Sequence, residues 1–495
     1  MNDRSVVGWK KIGWVILFLL LLAETAFALE GTGRTQTPQD LGDVRGNVLA
    51  EMAVNAVPGL AAAAVKDGHI LFVEGYAGAG ADRISPRTPF RLASLSKAFT
   101  AVAVLQLVEQ RRIELDAPVR TYLQSFVTSD TVRSGQITVR QLLNQTSGLA
   151  DAGFPEMRLA QPQTLAERVE TLKAATPVAP PGREFHYFNP NYAILARVVE
   201  VVSGQDYDAY LTRHVLVPLG MTRTFAAATG SEMERRAPDL AQGHIEVFGL
   251  ALTWSEGQGF LGGSGGVVST AEDMARWLAM LANGGEFNGV RILSPESIEL
   301  METPPQGSDY GMGWISTTVG SRRALFHDGI LSTVYTEATL FPEERSGVVF
   351  LANVNSVPHA LLAFPRIRET LLRTVTTALS PARGVTLQAF GLGSAVATAL
   401  LTTASLMDLG RTRRWASWAQ SARGWTIAFS LGIRLVPLAV LIALPQIIEA
   451  TTGRAFSLRA TVLAMLDVAV PLAIAGGVLG AGTMLRALRL SRPAG

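Results

Sequence analysis

The sequence predicts an α+β domain over residues 41–375, followed by three membrane-spanning helices within residues 387–490. Three observations support this prediction: hairpin-like strand pairs stand at both ends of the first region, helical patterns lie between them, and long apolar stretches fill the second region. A chain of 495 residues is also too long for a single core, because such cores stop growing at about 250 to 300 residues.

The predicted sheet begins and ends with a strand pair joined by turn residues. The stretches are 59–65 with 70–76 around Lys66-Asp67-Gly68, and 336–341 with 347–352 around the turn-rich 342–346. Between them, residues 98–108 are almost continuously apolar, which predicts a buried helix, and 193–202 predict a helix that Ser203-Gly204 closes. These helices do not alternate regularly with strands, so the fold class is α+β.

The N-terminus has the pattern of an export signal. Two lysines precede an apolar run at 12–22, and Ala26-Phe27-Ala28 has the small-x-small form of a signal-peptidase site. We expect a signal peptide over 1–28, cleaved after Ala28, and a linker over 29–40. The alternative is an uncleaved anchor, but a run of about 11 residues is short of the roughly 20 that cross a bilayer.

The C-terminal region, after a linker at 376–386, contains three stretches long enough to span a membrane: about 387–407, 425–448 and 462–485. Arginines are concentrated after the first stretch and after the third. Four lie between the first and second stretches, three follow the third, and two lie between the second and third. The positive-inside rule then predicts a cytoplasmic C-terminus and an extracytoplasmic α+β domain, the side that the export signal also predicts.

Two charged residues, Arg434 and Asp467, fall inside the second and third stretches. A charge in a membrane helix normally faces protein, water or the interface, so these residues have either a functional role or a snorkelling one. Because they lie about ten and about six residues into antiparallel helices, their levels differ by several residues.

Composition excludes several classes of function. The chain has no cysteine, which removes disulfide frameworks and thiolate chemistry, and its six histidines form no HExxH-like pair, so we predict no metal and no cofactor. The net charge of +2 gives no nucleic-acid footprint. The expected partners are a small-molecule or peptide substrate, with cell-wall peptides among the candidates, and membrane lipid; the oligomeric state stays open.

The first candidate for chemistry is Ser94-Leu95-Ser96-Lys97, at the head of the predicted buried helix. Residues three apart share a helix face, so the lysine amine can reach the serine hydroxyl. A lysine desolvated in a packed site has a lowered pKa and can take the serine proton. Alone this spacing is a weak signal, since most such lysines are solvated surface residues.

Two further segments contain polar residues beside predicted elements. Tyr187 precedes a predicted helix, where a phenol beside a lysine ammonium would lose its proton more readily; Asn189 stands before Pro190 as a candidate N-cap. His327-Asp328-Gly329 follows a strand-like segment, where glycine would let a substrate lie against the strand edge. An ordinary aromatic residue, a helix cap and a loop histidine are the simpler interpretations.

Taken in order, Ser94-x-x-Lys97, Tyr187-x-Asn189 and His327-Asp328-Gly329 resemble the three motifs of serine β-lactamase-like and penicillin-binding-protein-like hydrolases, especially the class C β-lactamase branch. Segments 137–149, 180–182, 218–221 and 264–274 also resemble this family, so the resemblance covers about 40–360. It implies an antiparallel sheet flanked by helices beside an all-helical subdomain, with the site at their seam.

The resemblance also implies the roles of the residues. Ser94 would attack an acyl carbonyl, Lys97 and Tyr187 would manage its proton, and Asn189, His327, Asp328, Gly329 and Ile330 would bind substrate, with the N–H groups of Ser94 and Ile330 as the oxyanion hole. The third motif departs from the usual Lys-Thr-Gly, and Ile330 is larger than the usual residue. A mostly neutral histidine attracts a substrate carboxylate less than lysine does, which makes esters, amides and small peptides candidate substrates.

Two alternatives compete with an extracytoplasmic serine hydrolase of the β-lactamase or D-alanyl-D-alanine carboxypeptidase type. Gly262-Gly263-Ser264-Gly265-Gly266 matches the G-x-S-x-G nucleophile elbow of α/β-hydrolases, but that motif needs a helix directly after the serine, and here the helix is predicted from Thr270, as a capping residue. The other alternative is a non-catalytic receptor that signals through its membrane helices, although its cytoplasmic segments are too short for an effector domain.

Overall fold

The computed structural model describes residues 41–78, 82–376 and 384–491. The predicted signal peptide and the linker at 29–40 lie outside the described residues, as does most of the linker predicted at 376–386.

The described chain contains helices and strands throughout. The helices are α1 Leu41–Val54, α2 Ser96–Glu109, α3 Thr131–Ser134, α4 Val139–Leu143, α5 Leu165–Thr171, α6 Pro190–Ser203, α7 Tyr207–Leu211, α8 Gly230–Arg236, α9 Ala271–Ala282, α10 Pro295–Glu302, α11 Phe364–Leu372, α12 Leu387–Gly410, α13 Thr412–Ala419, α14 Gly424–Gly432, α15 Val436–Thr452, α16 Leu458–Ala464 and α17 Leu466–Leu490. The strands are β1 Gly59–Lys66, β2 His69–Ala77, β3 Phe90–Arg91, β4 Phe225–Ala226, β5 His244–Val247, β6 Leu250–Thr253, β7 Val267–Ser269, β8 Glu286–Phe287, β9 Val290–Arg291, β10 Tyr310–Gly311, β11 Trp314–Val319, β12 Arg322–Ile330, β13 Tyr335–Phe341, β14 Ser346–Ala352 and β15 Val354–Asn355.

Seven of these strands form one antiparallel sheet in the order β10-β11-β12-β13-β14-β1-β2. Both predicted hairpins are confirmed, since Ala62 pairs with Glu74 in the first and Thr339 with Val348 in the second. The two hairpins meet where Ala62 pairs with Phe350. Strands from the two ends of the domain therefore share one sheet, as the sequence predicts.

Helices cover both faces of this sheet. On β1, Leu60, Ala62 and Ala64 belong to an apolar cluster with α1 and α11, while Ala61, Ala63 and Val65 face the larger core that includes α9 and α2. Because side chains alternate along a strand, a strand buried on both faces is continuously apolar, which explains the small-residue run of β1.

The helix predicted at 98–108 is α2, and residues Ser96 to Leu107 of this helix are buried. Its Phe99 stacks on Trp277 of α9, with ring centroids 3.9 Å apart. The helix predicted at 193–202 is α6, which ends at Gly204 in the left-handed conformation. Together with the sheet, these elements confirm the predicted α+β architecture, with a helical region beside the sheet.

Three helices after residue 384 are long and apolar enough to cross a membrane: Leu387–Gly410, Gly424–Thr452 and Leu466–Leu490. The second is interrupted by a 3₁₀ turn at Ile433–Leu435. Beside this turn Arg434 donates to both carboxylate oxygens of Asp408, at 2.9 Å each, and Arg486 Nη1 lies 3.1 Å from the same carboxylate. These three residues tie the three helices together.

These three apolar helices also contact the sheet domain directly. The backbone N–H of Phe248, in the β5–β6 turn, donates to Asp467 Oδ1 at 2.5 Å, and Leu387 N–H donates to Asn55 Oδ1 at 3.0 Å. Asp467 therefore bonds to the sheet domain and Arg434 to Asp408, so the two charges that the sequence places inside the membrane stretches do not pair with each other.

Candidate active site

Ser94 lies between the short strand β3 and the buried helix α2, in a 3₁₀ turn at Ala93–Leu95. Its Oγ is 3.0 Å from the Nζ of Lys97, one turn further along the chain. Ala93 has φ +48°, a conformation that costs a non-glycine residue free energy and that persists only where surrounding structure enforces it. The predicted serine–lysine contact is present, and the strained residue precedes the serine directly.

Lys97 is completely buried and has only neutral oxygen atoms as hydrogen-bond partners in the described structure. Besides Ser94, its Nζ contacts Asn189 Oδ1 and the carbonyl oxygen of Ser264, each at 3.0 Å. Burial, and secondly the positive charge of Arg454, hold the pKa of Lys97 well below its usual value. A neutral amine has two N–H groups and one lone pair, which matches two oxygen acceptors and one hydroxyl donor.

Tyr187 lies beside this pair, with its ring centroid 4.8 Å from Lys97 Nζ. Burial raises its pKa above the usual value of a phenol, and a hydrogen bond with Ser94 only partly opposes the effect. The expectation that a lysine ammonium eases the ionisation of this phenol is therefore wrong: Lys97 is itself driven towards the neutral form. Tyr187 keeps its proton and can pass it along a hydrogen bond.

Asn189 occupies the N-cap position of α6, but its side chain does not cap the helix. Its Oδ1 accepts the hydrogen bond from Lys97, and its Nδ2 donates to Glu156 Oε1 at 2.9 Å. The simpler interpretation of this residue as a helix cap is therefore wrong. Glu156, which burial gives a raised pKa, lies 3.7 Å from Arg168 and was not foreseen from the sequence.

Strand β12 ends with the residues His327, Asp328, Gly329 and Ile330. Strand β11 pairs with β12 only up to Phe326, so in the described structure residues 328–330 have a strand partner on one side alone, and the other edge is free for a substrate. A Cβ on Gly329 would lie 2.1 Å from the carbonyl oxygen of Leu92, so glycine is also required for β12 to pack against the turn that precedes Ser94.

His327 is buried among the aromatic rings of Tyr187 and Tyr310, with centroids 6.3 and 5.8 Å away. Burial lowers its pKa to about 3. The imidazole is therefore neutral, and because Nδ1 lies 2.6 Å from the Asp328 carbonyl oxygen, Nδ1 carries the proton. Nε2 is an acceptor that has no partner in the described structure. Burial also raises the pKa of the Asp328 carboxyl to about 6.

A buried glutamine, missed by the sequence analysis, holds the loop that carries Tyr187. The Gln145 carbonyl oxygen accepts from His186 N–H at 2.9 Å, and its side-chain Oε1 accepts from Phe188 N–H and from Asn191 Nδ2. Gln145 lies within the family-like segment 137–149, which was the only available signal. No group of three or more side chains able to hold a metal ion occurs in the described part of the chain.

Ser264 is not a nucleophile elbow. The chain continues from Gly266 into strand β7 and enters α9 only after Thr270, whose side chain accepts from Asp273 N–H as the predicted cap. The G-x-S-x-G interpretation fails because no helix starts directly after the serine. Its backbone carbonyl instead accepts a hydrogen bond from Lys97, so the segment contributes to the Ser94 site.

Arg454, in the connection between the second and third of the long apolar helices, also reaches this site. Its Cζ lies 5.0 Å from the centroid of the Tyr187 ring, and its Nε donates to Asp151 Oδ2 at 2.8 Å. No motif indicated this residue.

Residues 44–372 match the protein family described as Beta-lactamase. Among curated proteins, the chain is similar to Protein flp of Staphylococcus aureus, with 26% identity over 61% of this chain and 60% of that protein, and to penicillin-binding protein 4 of Amycolatopsis lactamdurans, with 28% identity over 59% and 79%. The chain thus spans less than two thirds of the Staphylococcus aureus protein.

Two solved structures resemble the fold. One is the octameric penicillin-binding protein homologue from Pyrococcus abyssi, with a TM-score of 0.57, 27% identity, and coverage of 68% of this chain and 78% of that chain. The other is EstCE1, a hydrolase with promiscuous acyltransferase activity, with a TM-score of 0.51, 23% identity, and coverage of 63% and 93%. At that identity the second comparison shows the fold alone.

Proposed function

The chain belongs to the Beta-lactamase family, and on that premise we propose that it is a membrane-anchored serine hydrolase acting through a covalent acyl-enzyme on ester, amide or β-lactam carbonyls. The observation that carries the proposal is the buried Lys97, whose Nζ is 3.0 Å from Ser94 Oγ and has no carboxylate partner in the described structure. A lysine of this kind is a base, because burial disfavours its charged form more than the nearby carboxylates favour it.

In the proposed reaction, Ser94 Oγ attacks the acyl carbonyl while the neutral amine of Lys97 takes the hydroxyl proton. Tyr187, which keeps its own proton and lies beside the Ser94–Lys97 pair, relays the transferred proton to the leaving group. Water then hydrolyses the acyl-enzyme with the same groups in reverse order. Backbone N–H groups of Ser94 and Ile330 stabilise the oxyanion, a contribution commonly of about 10² to 10³ in rate per donor.

The third motif determines which groups of a substrate His327 can bind. His327 is neutral, so it cannot supply the positive charge that would hold a penicillin or peptide carboxylate. Its Nε2 instead offers a hydrogen-bond acceptor to an N–H or O–H group of the substrate. D,D-peptidase, β-lactamase and esterase activity all fit the serine–lysine pair, and the relatives named as penicillin-binding proteins support β-lactam or peptide recognition.

We propose that the hydrolase domain faces the extracytoplasmic side. The export signal and the arginine distribution both predict this orientation. Contacts of the hydrolase domain agree with three spans, because they involve the start of α12, the connection after α15 and the start of α17, which lie on one side when three helices cross the membrane. Under the predicted topology these three positions lie on the outer side, while Asp408 and Arg486 lie towards the cytoplasmic side.

The test is intact-mass analysis of the purified full chain in detergent after exposure to a penicillin, alongside assays of ester turnover. We expect the wild type to hydrolyse an activated ester and to gain at most one acyl group from the penicillin. Ser94→Ala should do neither, whereas Ser129→Ala, which alters an exposed serine that donates to Ala175 O, should behave as wild type. Ester turnover without penicillin acylation would narrow the activity to esters. Wild type that shows neither reaction would contradict the proposal.

A further inference from the structure

The connection between the second and third membrane helices is fixed onto the hydrolase domain beside the active site. Residues 453–457, called the 453–457 loop below, are held at two positions. Ala455 N–H donates to Asp151 Oδ2 at 2.9 Å, and the Phe456 carbonyl oxygen accepts from Arg158 Nε at 2.9 Å. Arg158 also pairs with Glu449, at the end of the second membrane helix, at 2.8 Å. The loop is thus anchored on either side of Arg454.

Arg454 points from this loop to the catalytic residues. Its guanidinium carbon lies 5.0 Å from the ring centroid of Tyr187, and Lys97 Nζ lies 4.8 Å from the same centroid. The side chain is 15% exposed, and both Ser94 and Tyr187 are also partly exposed. Solvent therefore reaches all three residues while the loop is in place.

The hydrogen bonds of Arg454 orient its guanidinium and leave part of it available. Nε donates to Asp151, whose side chain is fully buried and which also receives Ala455 N–H. The two terminal NH₂ groups make no hydrogen bond with the described residues. A guanidinium held through Nε presents these groups as a planar pair, the geometry that binds both oxygens of a carboxylate.

The His327-Asp328-Gly329 motif provides no positive charge that could bind a substrate carboxylate. His327 is buried and uncharged, and Lys97 is occupied by Ser94, Asn189 and Ser264. Arginine stays charged in any protein environment, so Arg454 is a permanent cation beside Tyr187. Asp151 balances its charge in the free protein without using the terminal NH₂ groups.

We propose that Arg454 is a substrate-binding residue of this active site, and that it holds the carboxylate of an anionic acyl substrate through its two terminal NH₂ groups. This inference rests on the proposed hydrolase function, since it names the substrate class of the same site. It also means that residues 41–375 do not contain the whole site: the membrane segment supplies one of its binding groups.

The test compares two activated esters on the full chain in detergent. One is a p-nitrophenyl ester whose acyl chain ends in a carboxylate, and the other is its methyl-capped, uncharged counterpart. The variants are Arg454→Gln and Arg454→Lys, with Arg459→Gln as the matched control, because Arg459 is an exposed arginine a few residues further along the chain. The readout is the ratio of kcat/KM for the two esters, in which the fraction of folded enzyme cancels.

We expect Arg454→Gln to lower this ratio about 10- to 100-fold, because a hydrogen-bonded charge pair with the substrate is lost. Arg454→Lys should give an intermediate ratio, since charge remains without the planar pair of donors. Arg459→Gln should leave the ratio unchanged. An equal loss on both esters, or no change in Arg454→Gln, would overturn the assignment.

Fluorophosphonate labelling of each preparation separates this inference from the function on which it rests. If the wild type is labelled at Ser94 and hydrolyses the uncharged ester while Arg454→Gln leaves the ratio unchanged, the hydrolase function stands and the role of Arg454 falls. If the wild type is neither labelled nor active on either ester, both proposals fall.

Discussion

Lys97 in the hydrolase domain and Arg486 in the C-terminal apolar helices are two basic residues whose side chains are completely buried. Lys97 contacts three neutral oxygen atoms, while Arg486 lies against the carboxylate of Asp408, at 3.1 Å, and donates to the Asp408 carbonyl oxygen at 2.7 Å. The first cation loses its charge on burial and becomes a base; the second keeps its charge and joins helices. The type of side chain and its partners, together with burial, decide which buried cation can react.

The largest effect is expected from Lys97→Met, which removes the base from the neutral pocket. The kcat/KM for an activated ester should fall roughly 10³-fold or more, since Ser94 then has no group to take its proton. Lys173→Met, at an exposed lysine, should change the rate less than twofold. The wild-type pH profile should rise with pH to a plateau that begins well below the usual lysine pKa, because burial lowers the pKa of Lys97. A Lys97→Met enzyme with a tenth of the wild-type rate would remove Lys97 from the mechanism.

Disrupting the cluster of Asp408, Arg434 and Arg486 should lower the stability of the protein and leave its catalytic rate unchanged. Asp408→Asn leaves Arg434 and Arg486 without their carboxylate, which should cost about 3 kcal/mol of unfolding free energy, at the lower end for broken buried pairs because Asp408 is 27% exposed. Thermal unfolding in detergent measures this loss. Per labelled Ser94, kcat should stay within twofold of wild type, and Asp82→Asn, at an exposed aspartate, should change neither quantity. A large fall in kcat per labelled serine would show that the membrane cluster is coupled to the chemistry.

Tyr187→Phe tests the hydroxyl separately from the ring that Lys97 and Arg454 approach. The ring and its contacts stay, but the proton relay from Ser94 is lost, so kcat should fall about 10²-fold with little change in KM. Tyr122→Phe, whose hydroxyl accepts a hydrogen bond from the backbone of Glu114, serves as the control and should leave kcat unchanged. A loss of less than threefold in Tyr187→Phe would mean that protons reach the leaving group by another route.

The smallest effect is expected from the influence of Arg454, in the 453–457 loop, on the pKa of Lys97. The positive charge of Arg454 helps to hold the pKa of Lys97 down. In Arg454→Gln the Lys97 amine is protonated more easily, so the acid limb of the kcat/KM profile should move to higher pH. The uncharged ester is the substrate for this measurement, because it isolates the base from carboxylate binding. If the acid limb does not move, or if Arg459→Gln moves it equally, the charge of Arg454 does not set the pKa of Lys97.

Local patterns predicted most of the fold and the centre of the site. The hairpins follow from turn residues between apolar stretches, and α2 from its unbroken apolar run, because both depend on neighbours in sequence. The three motifs were identified by their order and spacing, and the structure brings Ser94, Lys97, Tyr187, Asn189 and His327 together.

What the sequence could not give depends on contacts between distant segments. The Asn189 side chain turns away from the helix end because Lys97 and Glu156 offer it partners that local capping rules do not include. The Tyr187 pKa depends on the burial of the whole pocket. Arg454 bonds to Asp151 across 303 positions of the chain, and it was visible in the sequence only as a loop arginine counted for membrane orientation.

The most direct test of the central claim is the site of a single covalent adduct. The full chain, Ser94→Ala and Ser264→Ala should be treated with a fluorophosphonate probe and read by intact mass and peptide mapping. The account predicts one adduct at Ser94 in the wild type and in Ser264→Ala, which keeps the backbone carbonyl that Lys97 uses, and none in Ser94→Ala. An adduct that survives Ser94→Ala, or a wild type that gains none, would contradict it.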